Sequence, residues 1–195
     1  ANAPCVMIFD DLDSLAQDRR QIRESQMRSL VNQFLHEMDG IRSENQRVLV
    51  IGATNQPWAL DPAFRRPGRF DQAIFVPPPD APARAQIIAL LAKDKPMAEF
   101  DTGSLVDATE GFTGADLKWV FDRAAELALS AAIHSGKAVP ISLDLLLAVA
   151  RKHTPSTDGW FEGVRTHAGE QAAPDGFFNE VRKFLAAPTS SKKER

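Results

Sequence analysis

The sequence predicts a parallel α/β sheet followed by a purely helical subdomain, and three observations carry that prediction. Two apolar runs, Cys5-Val6-Met7-Ile8-Phe9 and Val48-Leu49-Val50-Ile51, are continuous rather than alternating, which is the pattern of parallel strands buried on both faces. A segment with apolar residues at helical spacing separates them, as a crossover between parallel strands requires. Beyond Pro77-Pro78-Pro79 every periodic segment has the helical period.

The elements follow in order. The first strand stops at Asp10-Asp11-Leu12-Asp13. From about Gln21 to Met38 the residues Met27, Leu30, Val31, Phe34, Leu35 and Met38 share one helical face, and Gly40 is read as the C-terminal cap. The second strand runs into Gly52-Ala53-Thr54-Asn55, and a loop rich in Pro and Arg spans residues 56–71. Ala73-Ile74-Phe75-Val76 reads as a third short strand, stopped by the prolines, and a hinge is expected between Pro77 and Asp80. Asp80 can cap a helix with Pro82 in its first turn and Ile87, Ile88, Leu90 and Leu91 as its apolar side. Thr113-Gly114-Ala115-Asp116 has the spacing of a capping box. The helix behind it carries Leu117, Val120, Phe121, Ala124, Leu127 and Ala131 at helical spacing and ends at Gly136. Ser142 can cap a further helix with Leu145, Leu146 and Val149 inward. Trp160, Phe161 and Val164 mark one tail helix, and Phe177, Phe178, Val181, Phe184 and Leu185 mark another; both clusters read as packing. Residues 188–195 are polar and basic and predict a disordered tail. The division expected is 1–79, 80–152, 153–187 and 188–195.

Composition excludes several classes. A net charge of -3 over 195 residues leaves no basic footprint, so no nucleic-acid partner is expected. No apolar run is long enough for a membrane span; the best, from Leu127 to Ile133, is interrupted by Ser130. The single cysteine, Cys5, rules out a disulfide framework, fits a reducing, cytoplasmic compartment, and reads as a small core residue. His36, His134, His153 and His167 have no metal-ligand spacing. Arg19, Arg20, Arg23 and Arg28 read as a solvated face or as contacts to a neighbouring subunit. The chain opens at Ala1-Asn2-Ala3-Pro4 without Met, and is expected to be a piece of a longer polypeptide.

Chemistry concentrates at the strand ends. Ligands of open α/β sheets bind outside the carboxyl ends of the strands, where Asp10 and Asp11 lie. A hard cation such as Mg²⁺ takes oxygen ligands and keeps several waters, so one acid there can hold it while a second orients a water for attack on a phosphoryl group. Solvated loop acids are the alternative. Asn55 emerges from the second strand, where an amide can hydrogen-bond a phosphate oxygen or the attacking water. Arg66 and Arg69 stand on a loop stiffened by Pro67 and Gly68, and guanidinium groups suit the charge spread over a transferring phosphoryl group. The alternative is a surface loop whose arginines pair with Asp61 and Asp71.

Taken together, these segments resemble the AAA ATPases, of the katanin, spastin, NSF and proteasomal type. The Asp10-Asp11 strand looks like a Walker B element and Ile51-Gly52-Ala53-Thr54-Asn55 like sensor 1. Leu60 to Asp71 resembles the family's second region of homology, and Gly111-Phe112-Thr113-Gly114-Ala115-Asp116-Leu117 resembles the opening of its lid helix. Met38-Asp39-Gly40 fits as well. The matches keep the family's order over roughly residues 4 to 150. The resemblance implies a partial P-loop NTPase sheet (the C-terminal part of the AAA core) followed by an α-helical lid, with ATP and Mg²⁺ as cofactors. It implies that Asp10 binds Mg²⁺, Asp11 takes the place of the water-activating acid, and Asn55 is sensor 1. Arg66 and Arg69 would be arginine fingers reaching a neighbouring subunit, and Gly114 and Ala115 would lie against adenine or ribose, where small residues permit close backbone approach. It further implies a ring, a hexamer, that remodels or unfolds a protein substrate.

Two departures qualify those implications. No Gly-x-x-x-x-Gly-Lys-[Ser/Thr] occurs in residues 1–195, so the backbone cradle and lysine for the phosphates are not in this chain, and by itself it is expected to be inactive. The family usually has Glu where Asp11 stands; a carboxylate set back by about 1 Å can cost on the order of a hundredfold in rate. A nucleotide-binding structural or regulatory subunit with slow hydrolysis is therefore the first alternative, and a degenerate interaction module the second.

Overall fold

The computed structural model describes residues 3–16, 25–44, 47–170 and 178–186. The described residues form two compact units, one from those up to 75 together with those from 166 on, the other from 76 to 165.

In the first unit, β1 (Cys5–Phe9) leads into a one-turn helix α1 (Leu12–Leu15), then α2 (Ser25–Glu44), then β2 (Val48–Gly52). The two strands pair in parallel, in register from Cys5 opposite Val48 to Phe9 opposite Gly52, and α2 is the crossover. Leu12, Ala16, Val31, Leu35, Leu60, Ala63 and Phe64 are buried together, with Phe9, Phe34 and Phe70 packed against them. The rings of Phe9, Phe34 and Phe64 succeed one another at 4.9 and 5.1 Å between centroids.

Three expectations are corrected here. The strands are not buried on both faces: Val6 is 57% exposed, Ile8 70%, Leu49 57% and Ile51 44%. A continuous apolar strand is buried only when other layers cover it, and the described sheet has two strands, with the core gathered at their carboxyl ends. Residues 73–76 form no strand; Ile74 is 84% and Val76 83% exposed, and the Phe75 N–H donates to Glu180 Oε2 (3.2 Å) instead of to a ladder. Pro77-Pro78-Pro79 has no N–H to extend one. Gly40 does not end α2, which continues four residues past it. Glycine in a helix interior costs about 1 kcal/mol relative to alanine, too little to stop a helix whose Val31, Leu35 and Met38 are buried. The expected start of this helix at residues 21–24, the cluster Arg19, Arg20 and Arg23, Phe177 and the tail 188–195 lie outside the described residues.

In the second unit, α3 (Ala81–Ala92), α4 (Thr102–Ala108), α5 (Gly114–Ser135) and α6 (Leu143–Ala150) enclose a core, and α7 (Ser156–Glu170) begins in this unit and ends among the residues of the first. Ile88, Leu105, Leu117, Val120, Phe121, Ile141 and Leu146 are almost fully buried in this unit. Its helix ends are closed by side chains. Asp80 accepts from the Ala83 N–H with Pro82 in the first turn, Asp101 accepts from Gly103 and Ser104, and Ser142 accepts from Leu145. Gly136 ends α5 at φ 67°, the left-handed region that glycine enters without a Cβ clash. The strand-like contact of Met97 with Ile141 ties the α3–α4 segment to the entry of α6. The last helix, α8 (Asn179–Ala186), belongs to the first unit, where Phe178 and Val181 are buried and Phe184 meets Phe75 edge-on at 5.5 Å. Sequence reading missed α1 and α4, each under two turns long.

The carboxyl edge of the strands

Because Phe9 and Gly52 end their strands in register, the segments that follow leave the sheet side by side. Backbone hydrogen bonds knit them: Ala53 N–H to Phe9 carbonyl (2.8 Å), Leu12 N–H to Ala53 carbonyl (2.8 Å) and Asp61 N–H to Ala16 carbonyl (2.8 Å). The Thr54 hydroxyl donates to Asp13. Asp10, Asp11 and Asn55 therefore stand on adjoining loops at one edge, all three exposed. Gly52 makes the closeness achievable: a Cβ there would lie 2.6 Å from Leu12 Cδ2 and 3.1 Å from Phe70 Cε1. A small residue at the end of β2 thus lets the loop carrying the arginines fold against the strand ends.

Asp11 holds φ 47° and ψ 49°, the left-handed conformation, at a cost of roughly 1–2 kcal/mol for an L-residue, though Asp tolerates it better than most. Its N–H donates to Asp10 Oδ1 (3.0 Å). Such backbone strain clusters at functional sites. An exposed carboxylate at a strand end, with carbonyl, hydroxyl and amide oxygens beside it, fits a hard cation that retains waters and completes its shell from a bound phosphate. Asp10, exposed at the end of β1, is the residue there that could serve such a cation as one donor among waters and phosphate oxygens.

Behind this edge, Asp61 caps a 3-10 turn (Pro62–Arg65) by accepting from the Ala63 N–H at 2.8 Å. The chain then closes a second turn through Arg69 N–H to Arg66 carbonyl (3.1 Å), with Gly68 at φ 87° and its N–H on Asp71 Oδ2 (3.0 Å). Asp61 and Asp71, the acids weighed as partners of the arginines, accept from the Ala63 and Gly68 N–H groups, and Asp61 also acts on Arg69 through its charge. Arg69 instead meets Asp39 of α2, with Nε on Oδ1 (2.9 Å) and Nη2 on Oδ2 (2.8 Å), and its Nη1 donates to the Ala63 carbonyl (2.8 Å). The hydrogen bonds that Arg69 donates to Asp39 outweigh burial and raise the Arg69 pKa above its ordinary value. Arg66 is exposed at the other end of the turn.

In the second unit, Gly114 and Ala115 open α5 on the exposed side, and a Cβ at Gly114 would meet nothing within 4 Å, so the backbone there is open to close approach. The capping box is realised by Thr113 and Asp116, each holding the other's backbone N–H. Asp116 does more than the spacing announced. Only 4% exposed, it also accepts from His153 Nε2 (2.8 Å) and from the Ser156 hydroxyl (2.9 Å) and N–H (3.2 Å). Burial pushes its pKa up, but the hydrogen bonds from His153, Thr113 and Ser156 together prevail and hold it at about 2. His153 stacks on Trp119 at 4.4 Å. One carboxylate thus joins the starts of α5 and α7. The helical period marks neither His153 nor Ser156, and no local signal links them to Asp116.

The chain is 43% identical over 136 residues to the cell division cycle protein 48 homolog of Archaeoglobus fulgidus, covering 69% of this chain and 18% of that protein. It is 48% identical over 118 residues to Protein SAV of Sulfolobus acidocaldarius, covering 60% of this chain and 15% of that protein. The chain therefore spans less than a fifth of the length of either relative. An AAA+ lid domain model matches residues 99–141, inside the second unit. With the model of the ATPase family associated with various cellular activities (AAA) matching residues 1–78, which include both strands and the carboxyl edge just described, the chain belongs to the AAA ATPase family.

Proposed function

We propose that the protein of which this chain forms part is a cytoplasmic ATPase that assembles as a ring, a hexamer, and couples ATP binding and hydrolysis to remodelling or unfolding a protein substrate. The observation that carries this reading is the carboxyl edge: two carboxylates and an amide on adjoining loops, with an arginine-bearing turn packed behind them through Gly52. Bound Mg²⁺ supplies charge neutralisation of the phosphates. Asp10 is its protein donor, Asp11 orients a water, and Asn55 holds that water or a phosphate oxygen. Arg66, with Arg69 on the same turn, serves the site of a neighbouring subunit. Gly114 and Ala115 let adenine or ribose approach the start of α5. Among the described residues no helix is long and apolar enough to cross a membrane.

The exposed apolar faces of β1 and β2 support the same reading, since the strands of a larger sheet are covered by neighbouring strands and helices. The 195-residue chain alone is expected to bind Mg-ATP weakly and to turn none over, because the phosphate cradle is not in it. Calorimetry on this chain and on the full-length protein tests that: tight binding by the short chain would overturn the half-site assignment.

Asp11 favours a second reading, in which nucleotide mainly stabilises the ring and hydrolysis is slow. Its shorter side chain and left-handed backbone both set where the carboxylate ends. Asp11→Glu in the full-length protein separates the two readings. Strong activation indicates a slow site, and unchanged fast turnover indicates a site already fit for hydrolysis.

A further inference from the structure

We propose that Asp39 and Arg69 form an internal clamp that fixes the turn on which Arg66 is presented, so that Arg66 alone reaches the neighbouring nucleotide and Arg69 is a positioning residue. The inference rests on the ring-ATPase reading above and revises the part of Arg69 in it. The argument starts from donor geometry. A guanidinium has five N–H donors in a rigid fork, and a bidentate carboxylate occupies one edge of it. Arg69 gives that edge to Asp39 at 2.9 and 2.8 Å and a further N–H to the Ala63 carbonyl at 2.8 Å. Its side chain is 14% exposed. To act as a finger it would have to release all three bonds and swing out of its seat. Arg66 is already at the surface.

The bonds made by Arg69 sit where they control Arg66. The two arginines end one four-residue turn, closed by the Arg69 N–H on the Arg66 carbonyl at 3.1 Å. The turn is short and stiffened by Pro67, and the Phe70 N–H on the Phe64 carbonyl (3.0 Å) closes its base. Anchoring its far end to Asp39 ties it to α2, the helix that crosses between the two strands. A guanidinium must meet a transferring phosphoryl group within a few tenths of an ångström, and a misplacement of about 1 Å costs on the order of a hundredfold in rate. Asp39 thereby enters the reaction without touching the nucleotide.

The test is steady-state ATP turnover by the full-length protein, with ring assembly followed by light scattering. Arg66→Ala is expected to reduce kcat at least a hundredfold. Asp39→Ala and Arg69→Ala are each expected to reduce kcat about tenfold with KM for ATP within twofold, and the double variant to be no worse than either. Asp39→Glu, which keeps the charge, is expected to recover most of the loss. If Arg69→Ala is as severe as Arg66→Ala while Asp39→Ala is silent, Arg69 is a finger and the clamp is overturned. Asp39→Ala and Asp39→Asn that lose kcat only through loss of the ring overturn it too, since the clamp would then serve assembly. A wild-type ring without ATP turnover would instead sink the underlying functional reading.

Discussion

The two units of this chain close their surfaces to different degrees. In the helical unit Ile88, Leu105, Leu117, Val120, Phe121 and Leu146 are buried, four helices begin with a side-chain cap, and a buried carboxylate accepts from Thr113, His153 and Ser156. In the strand-bearing unit Val6, Ile8, Leu49 and Ile51 of the two strands are exposed, while Phe9, at a carboxyl end, packs into the core. The contrast teaches that a lid of this kind satisfies its own backbone and apolar surface, whereas the strands are shaped for covering layers. The largest expected effect follows from the helical side. Phe121→Ala removes a fully buried ring and is expected to lower the stability of the helical unit by about 3–5 kcal/mol, read by denaturant unfolding. A loss under about 1 kcal/mol would mean that this core is not the cooperative centre of the unit.

The next effect sharpens the same contrast by pH. Asp116 titrates at about 2, below its ordinary value near 4, so the folded carboxylate is favoured. Its contribution is fully present above pH 4 and is lost as pH falls towards 2, because the unfolded chain then binds the proton first. The difference is worth about 2 kcal/mol. Unfolding measured from pH 6 to pH 2.5 should show this loss in the wild type, and Asp116→Asn should be less stable at pH 6 and flatter with pH. A parallel pH dependence in the variant would assign the acid sensitivity to other carboxylates.

What could be read from sequence followed the range of the interaction. Thr113 with Asp116, Asp80 with Pro82, Ser142 and Gly136 are events within one helical turn, and the structure makes each of them. The two strands and the edge carrying Asp10, Asp11 and Asn55 were legible because a continuous apolar run announces a strand and its polar end announces the edge. The pairs Asp39–Arg69, 30 residues apart, and Asp116–His153, 37 apart, have no local signature. The supposed strand at residues 73–76 fails for the related reason that a strand is defined by a partner, and none is described beside it. Gly40 misled because a glycine after an apolar stripe looks alike whether the helix ends there or runs on. Gly40→Ala distinguishes these. Within α2, where a Cβ meets nothing within 4 Å, alanine is expected to stabilise by about 0.5–1 kcal/mol. A left-handed cap there would make it destabilising.

The smallest effect is expected where the two units differ most. Ile8 is 70% exposed in the middle of β1, although its neighbours in sequence are those of an interior strand. Ile8→Thr keeps the branched side chain that suits a strand and removes apolar surface already in water. In the 195-residue chain it is expected to change stability by less than about 0.5 kcal/mol. In the full-length protein, if further layers cover this face, the same substitution exchanges a buried ethyl group for an unpartnered hydroxyl and should cost about 1–3 kcal/mol or more. Equal, small effects in both would mean that β1 presents this face to water in the whole protein too. A large effect in the short chain would mean that copies of it already cover the strand for one another, which light scattering across a concentration series would reveal.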